Sequence, residues 1–446
     1  MIPVVLDPLS TAINWANDLV WGPWTIALLL GTGLFLTLRY RFVQVRRFRE
    51  ALAKFRPQTH KDAEGVLSPF QAFMTGLAAS VGTGNIAGVA TAVVAGGPGA
   101  VFWIWCYGFF ATTIKLTEAI LGVRFRDTDK GHLSAGPSYY LAEGIGSPKL
   151  AWIYALVAGV AALTTTPFTQ PNSIAVVFES ELGIATWITG VALAVLAWLV
   201  VIGGVRSIGR AAEKLAPFMV VLYLVVGLVV ILTNLGEVPG VIQLVLREAF
   251  STKAVGGGAL GTGMMVAVRY GLARGIYANE AGYGTAAVAY GSAKSDQPVE
   301  QGLNAMLEVY IVSFVTSSVS ALTILVSGVW DSGLNSTALV AAAFDGAIPF
   351  GGILVAFCAL LFGYTTLIGW GYYGEQYLDY LFGDWVILPY RWIYCGLVIL
   401  GAMTKVELVW AWGDLMNGLQ IFPNLVGVLG LSGLVAKLLR KSERSA

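Results

Sequence analysis

Small and polar residues interrupt a long apolar stretch early in the chain, at residues 82–85, which read Gly-Thr-Gly-Asn. The whole stretch, residues 68–99, is long enough to cross a bilayer. Gly is a poor helix residue, and Thr and Asn compete with a helix for backbone hydrogen bonds. Because hydrocarbon satisfies no free N–H or C=O group, a break at this depth must face protein or a wet cavity. The break therefore predicts half of a site for a substrate and an ion.

A second apolar stretch, residues 257–291, is also rich in glycine and polar in its middle. Its polar or small residues there are Arg274, Gly275, Asn279, Glu280, Gly282 and Gly284. Small residues also let helices pack closely, so either interruption alone is equally consistent with packing. Two interrupted helices at matching positions of two halves, with Asn85 and Asn279 inside them, favour a binding site at the membrane midplane.

The backbone at such breaks suits a small zwitterion. Where a helix restarts, free N–H groups bind a carboxylate, which makes the amides of residues 83–85 candidates. Where a half-helix ends, free carbonyls suit an ammonium group or Na⁺. The candidates for that end are Ala273, Gly275 and Tyr277.

Hydroxyl groups in the stretch 351–381 are candidate ligands for Na⁺, since a hard cation prefers oxygen. Tyr364, Thr365 and Thr366 supply them, although such hydroxyls often bond back to their own helix instead. Trp370, one turn further on, either closes the pocket and limits side-chain size or packs at a helix interface.

Gln170 lies between Pro167 and Pro171. Two prolines so close predict a disrupted helix, whose glutamine amide either faces the cavity or packs locally.

Charged residues inside apolar stretches need partners. Lys115 and Glu118 are three apart and can pair on one helix face. Arg274 is expected to pair with Glu280, Glu375 or Asp379, and no partner is predicted for Arg269. Both histidines, His60 and His132, fall in polar loops, so no metal cluster is expected, and the cysteines (Cys106, Cys358 and Cys395) are expected as small core residues.

The composition identifies the class of protein. Of 446 residues, 57% are hydrophobic and 12% are charged, whereas soluble domains carry about 25% charged residues. We predict an all-α membrane protein with the lipid bilayer as its surroundings. The net charge of +1 gives no basis for a nucleic-acid partner, and the sequence predicts no oligomeric state.

Apolar runs of about 20 residues mark membrane spans, and we read eleven of them. They are residues 20–38, 69–95, 99–123, 150–178, 184–203, 213–234, 257–291, 301–328, 351–381, 389–404 and 408–437. The two interrupted spans are five apart, so residues 69–256 and 257–446 form two five-helix halves. Since five is odd, the halves are inverted relative to each other. Residues 1–68 add one N-terminal helix and a basic loop.

Basic residues predict the orientation. They cluster after spans one, three and five, and again in the C-terminal tail. All of these fall on one side if the N-terminus is outside and the C-terminus is cytoplasmic. Arg247 and Lys253 are exceptions. Two segments, near 130–149 and 241–250, are amphipathic and predict short helices on the membrane surface.

Several stretches resemble the alanine or glycine:cation symporter family, within the amino acid-polyamine-organocation superfamily. VGTGNIAGVATAVVAGGPGAVFWIW resembles its signature, with Ile104 in place of Met, and RGIYANEAGYGTAA resembles another, with Tyr277 in place of Phe. The stretches GGVRSIGRAAEKLAPFM, GWGYYGEQ and LMNGLQIFPNLVGV also match. The resemblance extends from Trp21 to about Ser432.

The resemblance implies a leucine-transporter-type 5+5 inverted repeat with one extra N-terminal helix. It also implies Na⁺-coupled symport of small neutral amino acids, alanine or glycine, across the plasma membrane of a prokaryote. By position, the substrate-binding residues are Thr83, Gly84, Asn85, Gln170, Tyr277, Asn279 and Trp370. The Na⁺-binding positions are Ala79, Gly82, Thr365 and Thr366.

Other functions remain as alternatives. The same layout suits a carrier of another small zwitterion or a proton-coupled variant. A channel needs rings of charge or carbonyls along a pore, and the sequence has no such repeat. An intramembrane enzyme needs a nucleophile with a base, or a metal set, and none is found in the spans; GTGNIAG also lacks the ending of a phosphate-binding loop.

Overall fold

The computed structural model describes residues 8–55, 63–128, 133–251 and 262–445, and its regular elements there are helices. The first part contains α1 (Pro8–Val20), α2 (Pro23–Arg39), α3 (Val43–Arg46), α4 (Phe48–Lys54), α5 (Pro69–Ser80), α6 (Ala87–Gly96) and α7 (Ala100–Arg124). The middle part contains α8 (Pro137–Tyr139), α9 (Pro148–Thr164), α10 (Thr166–Leu182), α11 (Thr186–Val201), α12 (Gly204–Thr233) and α13 (Val238–Ala249).

The last part begins with the second interrupted span. It contains α14 (Thr262–Asn279), α15 (Thr285–Gly291), α16 (Pro298–Val309), α17 (Ser317–Val326), α18 (Ser336–Asp345), α19 (Gly351–Phe382), α20 (Ile387–Met403), α21 (Val406–Gly430) and α22 (Ser432–Ser445). Short tighter or wider helical turns occupy Thr83–Asn85, Tyr140–Gly144, Leu235–Glu237, Tyr310–Thr316, Val329–Asp331 and Asp384–Val386.

These helices confirm the prediction of an all-α membrane protein. In the described residues, six helical segments are long and apolar enough to cross a membrane, or nine if each of three bent pairs counts as one span. The nine coincide with nine of the eleven predicted spans. The remaining two are α11, which is a shorter apolar helix, and the interrupted pair α14 and α15. Residues 257–261 of that predicted span, His60, His132 and Lys253 lie outside the described residues.

The first interruption lies between α5 and α6, which are bent by 55° relative to each other. Ser68 caps α5, since its side chain accepts from the Gln71 amide while the Gln71 side chain accepts from the Ser68 amide. Helix α5 ends at Ser80 and the chain is extended at Gly82. The predicted break at residues 82–85 is therefore present.

The second interruption lies between α14 and α15. The backbone has positive φ at Glu280 (58°), Gly282 (101°) and Gly284 (87°). Glycine adopts such angles without steric cost, whereas a glutamate there is uncommon. The glycines of this stretch are thus used to reverse the chain, not only to pack helices.

The two interrupted spans lie side by side in the core. Helix α14 packs on α6 and α7, α15 packs on α7 and α5, and α5 packs on α12 and α19. Large apolar side chains on α11, α12 and α20 are exposed, as a lipid-facing surface requires. The amphipathic helix predicted near 241–250 corresponds to α13, and the one near 130–149 to the short turns after Gly136.

The helix around Gln170 differs from the prediction. The interruption falls at Thr165, between α9 and α10. Pro167 lies in the first turn of α10, where its missing N–H costs nothing, and Pro171 is accommodated inside the helix. Prolines alone therefore do not locate a break.

Candidate functional site

A small cavity lined by buried residues lies between the two interruptions. Its volume is about 10 Å³, which is room for about one water molecule. It is lined by Ala79, Ser80, Gly82, Gly84, Thr166, Gln170, Tyr277, Glu280, Tyr283, Thr366, Trp370 and Asn417. An amino acid is several times larger, so side chains must move before one can enter.

Five of the seven predicted substrate-binding positions, Gly84, Gln170, Tyr277, Trp370 and Thr83, meet at or beside this cavity. Gln170 Oε1 accepts hydrogen bonds from the Thr83 amide (3.0 Å) and hydroxyl (2.9 Å). The Tyr277 hydroxyl donates to Thr169 Oγ1 at 2.7 Å. A Cβ added at Gly84 would lie 2.5 Å from the Tyr277 ring, so only glycine leaves this wall open.

The two predicted asparagines point away from the cavity. Asn85 donates to the Ser80 carbonyl (2.9 Å) and accepts from the Ser317 hydroxyl (3.1 Å). Asn279 donates to Ser313 Oγ (3.1 Å) and accepts from the Ala281 amide (3.0 Å). Both side chains hold the interrupted backbone in place, which is what satisfied polar groups at a break must do.

The predicted ion-binding positions separate in the same way. The Thr366 hydroxyl donates to the carbonyls of Ala79 (2.9 Å) and Ala78 (3.1 Å), and a Cβ on Gly82 would overlap that hydroxyl. The Thr365 hydroxyl instead donates to the Phe362 carbonyl (3.1 Å) and contacts Met219 Sδ. Neutral oxygens of α5 and α19 thus converge at Thr366, and they are the ligand type that Na⁺ takes.

Lys115 is buried where both interruptions meet, with 1% of its side chain exposed. Its ammonium pairs with Glu308 at 2.5 Å and donates to Ser80 Oγ (2.8 Å) and the Asn279 carbonyl (2.6 Å). The predicted pairing with Glu118 is therefore wrong, because the two side chains of this helix turn to different neighbours.

Glu118 caps the second interruption. Its Oε1 accepts from the backbone amides of Gly282 (2.9 Å) and Gly284 (3.2 Å), and from Asn424 Nδ2 (2.7 Å). A carboxylate bound to several N–H groups needs no cation beside it. Helix α7 thus supports both breaks: Lys115 binds a group at each of them, and Glu118 binds the second.

Arg274 pairs with Asp414 on α21, not with the acids predicted for it. Its guanidinium also lies 5.0 Å from the Trp410 ring centroid and 5.9 Å from that of Tyr277. Glu375, one of the predicted partners, is taken by Arg391 at 2.7 Å. The predicted pairing was wrong because Asp414, 140 residues further along the chain, was not among the acids considered as partners.

Arg274, Tyr277 and Trp410 pack together into a layer between the small cavity, which Tyr277 lines, and a second cavity, which Arg274 lines. This second cavity, of about 320 Å³, is also lined in part by Asp18, Arg269 and Asp414. Arg269 pairs there with Asp18 at 2.7 Å. A larger polar cavity of about 900 Å³ lies at the other end, around Glu64, Arg206 and Gln376. The small cavity thus lies between two wider ones.

The sequence interpretation missed several cavity residues. They are Ser80, Thr166, Glu280, Tyr283 and Asn417. Glu280 was named as a polar residue of the second interruption and as a possible ion-pair partner of Arg274, but not as a binding residue, although it lies next to Asn279 at the break. The signal available for it was an ionisable residue inside an interrupted span.

Comparison with known proteins agrees with this arrangement. The family model described as "Sodium:alanine symporter family" matches residues 6–446. The chain is 39% identical over 434 residues to the sodium/alanine symporter AgcS of Methanococcus maripaludis, covering 95% of each chain. It is 33% identical to a putative sodium/proton-dependent alanine carrier protein of Bacillus subtilis, covering 96% of this chain and 91% of that one.

A solved structure shares the fold. The crystal structure of MhsT in complex with L-phenylalanine matches with a TM-score of 0.60 at 14% identity, covering 86% of this chain and 99% of that chain. The fold is therefore of the leucine-transporter type, as the resemblance implied. With two interrupted helices meeting at a buried polar cavity and a family match over nearly its whole length, this multi-pass membrane transporter belongs to the sodium:alanine symporter family.

Proposed function

We propose that this protein carries small neutral amino acids, alanine or glycine, across the plasma membrane together with Na⁺. The observation that carries the proposal is the meeting of both helix interruptions at one polar cavity, with neutral oxygens of α5 and α19 on its wall. Half-helix ends at the midplane bind zwitterions and ions without a fixed lipid-exposed charge.

The substrate carboxylate is assigned to the amides at the restart of the first interrupted span, Thr83, Gly84 and Asn85. These N–H groups precede α6 at the positive end of its dipole, where the Thr83 amide donates to Gln170 and the Asn85 amide to the Gly82 carbonyl. The Gln170 side chain accepts from the Thr83 amide and hydroxyl. When substrate binds, the Thr83 amide turns from Gln170 to the substrate carboxylate, and the Gln170 side-chain amide contacts the substrate. Asn279 stabilises the second interruption, since its side chain donates to Ser313 Oγ and accepts from the Ala281 amide.

Tyr277 and Trp370 limit the size of the substrate side chain. Both rings line the cavity, and each is held by a polar contact, Tyr277 to Thr169 and Trp370 to Glu280. Because these contacts hold both rings, a substrate whose side chain is hydrogen or methyl requires less displacement of them than a branched one. This is the basis for assigning alanine or glycine.

The Na⁺ site is assigned to the Thr366 hydroxyl with carbonyls between Ala79 and Gly82. Thr365 is a neighbour that steadies the helix, since its hydroxyl faces Phe362 and Met219. Bound between α5 and α19, Na⁺ stabilises the arrangement in which the carboxylate site is complete. That dependence couples the two solutes.

Transport then proceeds by alternating access between two inverted halves, residues 69–256 and 257–446. With the N-terminus outside, the Arg274 layer closes the outer side and the loops before α5 and after α15 close the inner side. The cavity as it stands cannot hold an amino acid, so substrate can enter or leave only after one of these closures opens. In alternating access the two closures open one at a time.

The test is uptake by purified protein in proteoliposomes. An inward Na⁺ gradient should accelerate uptake of labelled alanine by about tenfold or more over K⁺ alone, since each tenfold is only 1.4 kcal/mol of coupling. Equal uptake in K⁺ would refute Na⁺ coupling. Uptake driven by an inward proton gradient without Na⁺ would identify the proton-coupled alternative. No uptake of alanine, glycine or serine under any gradient would refute the substrate class.

A further inference from the structure

Glu280 is the buried acid that faces the central cavity. It directly follows α14, lines the cavity and is 3% exposed. Its backbone has φ +58°, a conformation that costs a non-glycine residue free energy and is found at ligand-binding sites. The fold therefore holds this carboxylate at the cavity wall in a conformation that glycine would adopt more readily.

The hydrogen-bond partners of Glu280 are neutral. Its Oε1 accepts from Trp370 Nε1 at 2.5 Å, and its Oε2 accepts from Thr285 Oγ1 at 2.9 Å. Neither partner supplies charge, and the nearby Lys115 ammonium binds Glu308, Ser80 and the Asn279 carbonyl rather than Glu280.

Three other buried acids of the core pair with a cation, whereas Glu118 is held by neutral N–H groups. Glu308 pairs with Lys115, Glu375 with Arg391 and Asp414 with Arg274. Glu118 takes two backbone amides and an asparagine. Among the described residues, no lysine or arginine forms an ion pair with Glu280.

A buried carboxylate without an ion-pair partner is costly even when it is hydrogen-bonded, and a cation that enters the cavity lowers that cost. We propose that Glu280 binds the ammonium group of the substrate and so makes the site select amino acids over acids that lack the amine. This rests on the proposed function and adds the residue that recognises the amino end.

The two ends of a zwitterion fit the two interruptions. The turn that precedes α6 presents the Gly84 amide for the carboxylate, and the Thr83 amide once Gln170 releases it, while the end of α14 presents Glu280 for the ammonium. Lys115 cannot serve the carboxylate, since its donors are already taken by Ser80, Asn279 and Glu308. Each charged end of the substrate thus meets its complement on a different helix.

Trp370 connects this recognition to substrate size. Its indole N–H is bound to Glu280 while its ring lines the cavity. An ammonium that binds Glu280 shares that carboxylate with the indole, so the ring stays beside the substrate side chain. The same contact that places the amine therefore places the wall that limits the side chain.

The experiment compares alanine with lactate, which has the same carboxylate and methyl but a hydroxyl in place of the ammonium. Binding to purified full-length protein is measured by calorimetry, and by competition with labelled alanine, at saturating Na⁺. The variant is Glu280→Gln, which keeps an acceptor for Trp370 and removes the charge. We expect alanine affinity to fall by about 100-fold, as when one member of a buried charge pair is removed, while lactate affinity is unchanged or higher.

Two results would overturn the inference. One is alanine affinity in Glu280→Gln within about threefold of the unmodified protein. The other is a loss of alanine affinity that is restored when Na⁺ is raised beyond the concentration that saturates the unmodified protein, since that would make Glu280 an ion ligand. Stabilisation of the variant by Na⁺ alone reports that it is folded.

If Glu280→Gln does not fold, Glu280→Asp decides. It withdraws the carboxylate by about 1.5 Å, one carbon–carbon bond, and should lower alanine affinity about tenfold without changing lactate affinity. Unaltered alanine affinity would contradict the inference. If instead the unmodified protein binds no small neutral amino acid with Na⁺, it is the proposed function that fails.

Discussion

The ammonium of Lys115 lies 2.5 Å from a carboxylate oxygen of Glu308, and at most 1% of either side chain is exposed. The same ammonium binds Ser80, the last residue of α5, and the carbonyl of Asn279, the last residue of α14. The ends of two separate half-helices are therefore held by one cation on α7. Carbonyls at a helix end attract positive charge, so this position suits a lysine.

Replacing Lys115 with Met should strongly destabilise the protein. It leaves Glu308 as a buried charge without its partner, a loss of about 3–5 kcal/mol in soluble proteins. Thermal unfolding in detergent measures it. Arg46→Ala is the matched control, because Arg46 pairs with Glu443 at an exposed surface, where such pairs contribute about 0–1 kcal/mol. Equal melting temperatures for both variants would show that the buried pair is not important for the fold.

Replacing Gly84 with Ala should abolish alanine transport while the protein still folds. The new methyl would lie 2.5 Å from the Tyr277 ring, within the space assigned to substrate, and contacts that close force a shift. Uptake and melting temperature are measured together. Gly396→Ala is the control, since a Cβ there meets nothing within 4 Å. Normal uptake by Gly84→Ala would mean that the substrate binds elsewhere.

Thr366→Ala should weaken Na⁺ binding far more than Thr365→Ala. The Thr366 hydroxyl lies beside carbonyls of α5, whereas that of Thr365 is bound within its own helix and against Met219. Loss of one oxygen ligand should raise the half-saturating Na⁺ concentration about tenfold or more. Alanine uptake as a function of Na⁺ gives that value for both variants. A larger effect at Thr365 would place the ion on the other face of α19.

The sequence predicted both interruptions because their cause is local: glycine, threonine and asparagine in an apolar stretch. It did not predict partners that the fold brings from afar, such as Glu308 for Lys115, which is 193 residues away. Nor did it distinguish Thr365 from Thr366, since the rotation of α19 decides which hydroxyl faces α5. Glu280 was not predicted as a cavity residue, because its proposed role depends on the lack of an ion-pair partner, which only the folded arrangement shows.

The layer formed by Arg274, Tyr277 and Trp410 should control access from the side where α14 begins. Arg274→Ala removes both the ion pair with Asp414 and the contact with the Trp410 ring. In a background without native cysteines, a cysteine at Thr166, which lines the cavity, should then react faster with a membrane-impermeant thiol reagent.

A hydrogen bond to a charged group contributes about 1.5–3 kcal/mol, and about 1.4 kcal/mol corresponds to a factor of ten. Without the Arg274 side chain, the labelling rate should therefore rise about tenfold. Arg269→Ala serves as the comparison, because its pair with Asp18 is exposed and outside the layer. If both variants label at the same rate, the layer does not close the cavity.

Arg126 should keep the cavity closed on the side opposite the Arg274 layer, where the segments before α5 and after α15 meet. Its guanidinium donates to the carbonyls of Glu64 (2.8 Å) before α5, and of Ala293 (2.7 Å) and Ser295 (3.2 Å) after α15. Those two segments also bond to each other, through the Leu67 amide to Ser292 and the Lys294 amide to Leu67. One side chain thus ties together the loops that lead into the halves of both interrupted spans.

Arg126→Ala should therefore speed hydrogen exchange at the amides of Leu67 and Lys294, because local opening sets their exchange rates. Hydrogen bonds to a charged group contribute about 1.5–3 kcal/mol each, so the expected increase is about tenfold or more. Arg124→Ala provides the comparison, since that side chain is exposed and lies over the Phe125 ring. Unchanged exchange in Arg126→Ala would mean that the backbone bonds alone hold these loops together, and that opening on this side is governed elsewhere.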